Sequence, residues 1–158
     1  MFRELTRKKQ EISRDECVEI LEKEKRGVLS VMGVEGYPYG MPMNHYYDKE
    51  EGVIYFHCGR GGHRHDALLE NDQVSFCVCE QGSPCDHPWA LSVRSVIVFG
   101  RMELVEDREQ VVSITRRLSA KFTNDEAYVQ KEIEQYAKAT VLLKLIPTHM
   151  CGKRVKEC

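Results

Sequence analysis

Apolar positions in this chain alternate between helical spacing and short β-branched or aromatic runs. Ser13 and Glu16 have the form of a capping box, and Cys17, Val18, Ile20 and Leu21 follow on one helical face, so a helix is predicted over about 13–25, stopped by Gly27. Strands are predicted over 28–32 and 39–47, joined by a turn over 34–37. Pro38 and Pro42 fall in or beside the second strand, which must then hold an edge, a bulge or a ligand-facing stretch, because proline donates nothing to a ladder. A turn over 48–52 leads to a strand over 53–58, a short helix over 63–71 and a strand over 74–79. After a loop over 81–88, a long strand over 91–105, or two strands joined at Gly100, is predicted. Asp107 is a second cap, followed by Val111, Ile114, Leu118 and Phe122 at helical spacing; a further helix is predicted over 126–138 and a last strand over 141–146, stopped by Pro147. The strands come mostly in hairpin order, which predicts an α+β domain: an antiparallel sheet closing into a small barrel, with helices outside.

The 158 residues suit one domain, with a short basic arm carrying Arg3, Arg7, Lys8 and Lys9 ahead of the first helix, the two together occupying about 1–25. Net charge is -2 and the cations are scattered, which argues against nucleic acid as a partner. No apolar run approaches the roughly 20 residues that span a bilayer, and the first residues lack the apolar core of a signal peptide, so no membrane and a cytoplasmic location are expected. The seven cysteines are odd in number and read as reduced thiols.

The candidate chemistry is concentrated where the strand over 53–58 runs into three glycines in four residues, Gly59, Gly61 and Gly62, and then His63, Arg64 and His65. Glycines let a backbone approach a ligand, a helix start offers N–H groups, and arginine offers a planar fork of donors: together, a cradle for an anion such as phosphate. A mobile loop with solvated charges is the competing reading. A metal site from His57, Cys58, His63 and His65, joined by Cys79, Cys85 and His87, is a weaker alternative, since no C-x-x-C or H-E-x-x-H spacing is present. A reactive thiol at Cys58 or Cys151 is another; His57 and Cys58 are strand neighbours and point to opposite faces, so an inert thiol is favoured.

The ordered set GYPYGMPMN at 36–44, IYFH at 54–57, GHRHDAL at 62–68 and RSVIVFG at 94–100 resembles the FMN-binding split-barrel superfamily of the pyridoxamine 5'-phosphate oxidases. Within it the chain is most similar to the 5-nitroimidazole resistance (nitroimidazole reductase, Nim-type) branch, and the likeness runs to HMCGK at 149–153. The resemblance implies a six-stranded antiparallel split β-barrel with flanking helices, covering 1–158 as one domain and working as a homodimer with FMN between protomers. It implies flavin contacts from Met41, Pro42, Met43 and Asn44 along the second strand, from His57 and Cys58, from the pair His63 and Arg64, and from Ser95, five before Gly100. Gly40 and roughly His45 stand where the oxidases place an Arg and a Lys, so Arg64 must carry more of the phosphate, and pyridoxamine phosphate oxidation is expected to be absent. The activity implied is FMN-dependent reduction of a small nitro-aromatic or quinone-like electron acceptor, with NAD(P)H or another reductant as donor. His57 and His63 are candidates for proton donation, and no metal is expected. A flavin-binding redox sensor or storage protein, and a metal- or haem-binding split barrel, are the alternatives. The role of the loop from Cys79 to His87 stays open.

Overall fold

A computed structural model of the chain describes residues 1–85 and 89–157. Among these residues four α-helices and eight strands occur, with a single 3-10 turn at Lys8–Gln10. Helix α1 (Arg14–Lys23) begins at the expected capping box: Ser13 Oγ accepts from the Glu16 amide at 3.2 Å, and the Ser13 amide donates to Glu16 Oε2 at 2.9 Å. It buries Cys17, Ile20 and Leu21. Its free carbonyls are capped from outside by the Lys121 ammonium, which donates to Leu21 O at 3.2 Å and Glu24 O at 2.6 Å. Ser13→Ala is expected to cost about 1 kcal/mol, the usual value for losing an N-cap, read as a lower midpoint in chemical denaturation.

The strands are β1 (Arg26–Met32), β2 (Pro38–Asn44), β3 (Tyr46–Asp48), β4 (Val53–Gly59), β5 (Gln73–Cys79), β6 (Ser83–Pro84), β7 (Leu91–Val105) and β8 (Thr140–Lys156). Helix α2 (His63–Glu70) follows β4, and α3 (Arg108–Ala120) and α4 (Glu126–Tyr136) lie between β7 and β8. The sheet order is β2-β1-β5-β7-β8-β4-β3, with β6 on β7, and all pairs are antiparallel. The long β7–β8 ribbon is the spine. Its one half, Ser95–Arg101 of β7, carries β5, β1 and β2; its other half, Thr140–Leu145 of β8, carries β4 and β3. A register shift at Phe99/Gly100 divides the halves: Gly100 faces Pro147, Phe99 faces His149, and Thr148 is the extra residue of a bulge. The halves curl together until β2 meets β4 without pairing to it. The result is the α+β split barrel that the sequence led us to expect.

The inner faces supply the main core, with Leu29, Ile54, Phe56, Phe76, Val98 and Leu145 all fully buried. A second cluster joins Val111 and Ile114 of α3 to Val53, Tyr55 and Leu142 on the outer face of β4 and β8. Helix α4 packs Val129, Ile133 and Ala137 beside Val112 of α3.

Several sequence expectations change. Eight strands replace six, because the short β3 and β6 add to the framework. The strand expected over 39–47 breaks at His45 into β2 and β3. Proline 147 does not end the last strand; it sits in the bulge, where its missing N–H interrupts nothing, and β8 runs on to Lys156. Gly27 does not stop α1, which ends at Lys23; it lies in β1, where a Cβ would come within 2.5 Å of the Phe76 ring, so close packing requires it. Phe122 follows α3 rather than lying within it.

Candidate functional site

The glycine turn after β4 has the geometry of a ligand-approachable loop. Gly61 and Gly62 hold φ of 79° and 91°, left-handed values that favour glycine, and no neighbouring atom lies within 4 Å of where a Cβ would stand. Open space therefore faces the turn. Gly62 is the N-cap of α2 and supplies no side-chain cap, leaving the first amides of the helix without a side-chain acceptor. The helix is held by Ala67 and Leu68, which are buried in the main core.

Arg64 projects from this helix start over the inner side of β2. Its Nη1 lies 3.4 Å from Met43 Sδ and 3.9 Å from Met41 Sδ. It also bonds the Cys58 thiol, and burial raises the pKa of that thiol more than the guanidinium lowers it, so Cys58 is a neutral thiol and not a poised nucleophile. Among the described residues Arg64 makes no ion pair: its neighbours are two thioethers and a thiol. A half-buried cation with soft, weakly accepting neighbours is electrostatically uncompensated, and an anion is the natural complement.

His63, one residue earlier, points elsewhere. Its ring meets Tyr39 edge-on at 4.5 Å, and its Nε2 is 3.7 Å from Glu35 Oε2 in the β1–β2 turn. The structure thus separates the expected basic pair. Arg64 joins Met41, Met43 and Cys58, while His63 caps the neighbouring turn.

Strand alternation splits the remaining residues. Met41, Met43 and Cys58 pack inward. Asn44 and His57 instead line a cleft of about 360 Å³. Its far wall comes from α3, α4 and the segment between them, with Thr115, Phe122, Tyr128, Glu132 and Tyr136. Asn44 Oδ1 accepts from Arg26 Nε at 2.8 Å, which fixes the amide at the rim. Desolvation and, next, the Arg64 charge hold the His57 imidazole pKa below its usual value, so the ring is neutral at neutral pH. This aromatic wall was missed in the sequence, where Tyr128, Glu132 and Tyr136 at four-residue steps on one helix gave the signal.

Ser95 is not brought to this group. It pairs with Cys79 and Lys153, and β1 and β5 separate its strand from β2. His45 is not beside the cradle either. It is fully buried, its Nε2 donating to Leu21 O at 2.8 Å and its ring edge-on to Phe76. Among the described residues no group of three or more His, Cys, Asp or Glu converges on a metal position; His87 lies outside the described residues.

The sequence profile of the family described as pyridoxamine 5'-phosphate oxidase matches residues 13–154. No curated protein sequence matches the chain. Solved structures do. One, a candidate 5-nitroimidazole antibiotic resistance protein from Bacteroides thetaiotaomicron, has a TM-score of 0.76 at 19% identity, covering 92% of this chain and 87% of that one. A conserved hypothetical protein from Mycobacterium tuberculosis has a TM-score of 0.79 at 17% identity, covering 98% and 91%. An FAD-binding protein from Mesorhizobium loti has a TM-score of 0.66 at 20% identity, covering 92% and 97%. At these identities the likeness is one of fold.

Proposed function

The chain belongs to the pyridoxamine 5'-phosphate oxidase family, and from that premise we propose that it binds FMN and acts as a flavin-dependent reductase of small nitro-aromatic or quinone-like compounds. The observation that carries this is Arg64: a half-buried guanidinium without a carboxylate partner among the described residues, set at a glycine-rich helix start beside open space. Arg64 and the first amides of α2 hold the phosphate. The backbone of β2 from Met41 to Asn44 would line the flavin ring, with the sulfurs of Met41 and Met43 beneath Arg64. A bound flavin supplies the electron storage and hydride chemistry. The chain's own part is to bind, orient and exclude water. Asn44 and neutral His57 offer hydrogen bonds at the mouth of the aromatic cleft, where Phe122, Tyr128 and Tyr136 suit a flat acceptor. The low pKa of His57 makes it a hydrogen-bonding and orienting group more than a cationic acid. Pyridoxamine 5'-phosphate is not the expected substrate.

A homodimer reconciles the position of Ser95 with this site. Pro42, Val28, Cys77, Ile97 and Cys151 stand opposite one another in turn across five strands, an apolar row on the outer face that also carries Ser95. Burial raises the pKa of Cys77 and Cys151, so both are neutral and pack as small hydrophobes. On this reading a second copy would seat on this face and Ser95 would serve the flavin of that copy.

Purified protein is expected to be yellow, to release FMN on denaturation and to sediment as a dimer. It is expected to consume NADH or NADPH when given a nitroimidazole or quinone. Protein that is colourless and takes up no added FMN would sink the reading, and FMN-saturated protein that turns over no acceptor with any donor would reduce it to a flavin carrier.

A further inference from the structure

Among the described residues that line the aromatic cleft, Glu132 of α4 alone carries a formal charge at neutral pH. It is half-buried, and among the described residues it makes no ion pair and no side-chain hydrogen bond. Helical spacing explains why. The positions one turn away, where a lysine or arginine would pair with it, hold Tyr128 and Val129 before it and Gln135 and Tyr136 after it. The arginines of α3 are engaged elsewhere, Arg116 with Gln130 and Arg117 with Asp48.

In place of cations, two rings bracket the carboxylate. Tyr128 and Tyr136 stand four residues to either side of Glu132, about 6 Å along the helix axis and on the same face. They remain 55% and 52% exposed, so their faces are open to a ligand. The Tyr136 hydroxyl accepts from Gln135 Nε2 at 2.9 Å, which steadies that ring. Phe122 shares the wall, and there the chain already seats a cation on an aromatic face: Lys25 Nζ lies 5.3 Å from the ring centroid. Among the described residues no cation stands over Tyr128 or Tyr136.

Charge is therefore sorted across the cleft. Arg26 on Asn44 and Lys25 on Phe122 repel a cation from one side, and Glu132 between its tyrosines attracts one to the other. An anion is repelled at Glu132. A neutral ring seated there would strip water from an unpaired carboxylate and offer no compensating charge.

We propose that the cleft selects a planar aromatic cation, an amine- or amidine-bearing ring whose charged group sits on Glu132 between Tyr128 and Tyr136 and whose neutral end faces Asn44 and His57. The volume of about 360 Å³ is at the lower end for small-molecule sites and limits the ligand to a small ring system. The inference rests on the flavin reading for the ligand's role as electron acceptor, but its binding needs no flavin.

The test is NMR titration of the protein, flavin-loaded and flavin-free, with benzamidine and with benzamide, a neutral probe of the same shape. Benzamidine is expected to bind about tenfold more tightly, as a hydrogen bond gains when both partners are charged. Glu132→Gln keeps the shape and the helix propensity, so its thermal midpoint should hold while benzamidine falls to the affinity of benzamide. Tyr136→Leu is expected to weaken benzamidine roughly threefold through the lost ring face. Absence of benzamidine binding, equal affinities for the two probes, or benzamidine affinity unchanged in Glu132→Gln overturns the proposal. FMN uptake is read separately. Protein that takes up no FMN yet binds benzamidine through Glu132 keeps the cleft and loses the flavin reading; FMN-loaded protein without the preference keeps the flavin and loses this inference.

Discussion

Arg64→Ala is expected to weaken FMN binding by about 1.5–3 kcal/mol, roughly 10- to 150-fold, the range for hydrogen bonds to a charged group. The size follows from how few cations stand near the cradle. His63 is occupied with Tyr39 and Glu35, Gly40 has no side chain, and His45 is buried away from the turn. Arg60 is paired with Glu106 on the far side of the loop. On the proposed reading one guanidinium and the α2 amides are what would hold the phosphate, and losing the guanidinium would remove most of the charge-assisted part. The change should cost little stability, because Arg64 gives up only contacts to the sulfurs of Met41, Met43 and Cys58. Arg64→Lys tests geometry against charge: an ammonium keeps the attraction and loses the fork, so an intermediate affinity is expected. The measurement is fluorescence titration of flavin-free protein with FMN. Unchanged affinity in Arg64→Ala would mean the anion is held elsewhere.

What could be read in the sequence was what local chemistry decides. The caps at Ser13 and Asp107 were visible because each is a side chain bonding an amide three residues away. The edge position of β2 was among the options that Pro38 and Pro42 left open, and the open turn at the start of α2 followed from Gly61 and Gly62. What escaped depends on partners distant in the chain. Pro147 looks like a stop until Gly100 stands opposite it, where a Cβ would lie 2.1 Å from Ile146 O. Gly27 looks like a helix breaker until Phe76 fills the space above it. The aromatic cleft needs α3 and α4 folded back over β4, and no periodicity within either helix says which strand it covers. The separation of His63 from Arg64 was within reach, since adjacent helical residues diverge by about 100°. Ser95 is the residue whose assigned role the single chain cannot complete, and the second copy proposed above follows from that.

The largest effect on stability is expected on acidification, through His45. Burial, and then the Lys121 ammonium, push its pKa down to about 3, against a partial opposing pull from Leu21 O. In the unfolded chain it titrates near 6.5. As pH falls below about 6.5 the unfolded state takes up a proton that the folded state refuses until about pH 3, so stability falls with pH across that window. At 1.36 kcal/mol per unit the loss from this residue is on the order of 3 kcal/mol between pH 7 and pH 4. Glu16, Glu19 and Glu80, whose pKa values are lowered mainly by their hydrogen bonds to Ser13 and Arg94, lose stability in the same direction at lower pH, so the His45 share must be isolated by substitution. His45→Met does this. It deletes a buried Nδ1 without a hydrogen-bond partner among the described residues, and Leu21 O keeps Lys121 as donor. The variant is expected to match the parent at pH 7 within about 1.5 kcal/mol, as volume-conserving swaps do, and then to gain on it steadily as pH is lowered, by about 3 kcal/mol at pH 4 in urea denaturation. Its FMN affinity at neutral pH should not change, because a neutral histidine bonded to Leu21 O adds no charge to the phosphate site. Parallel stability profiles for the two proteins would show that His45 accepts its proton while folded, and lower FMN affinity in His45→Met would return it to the cradle where the oxidases carry their lysine.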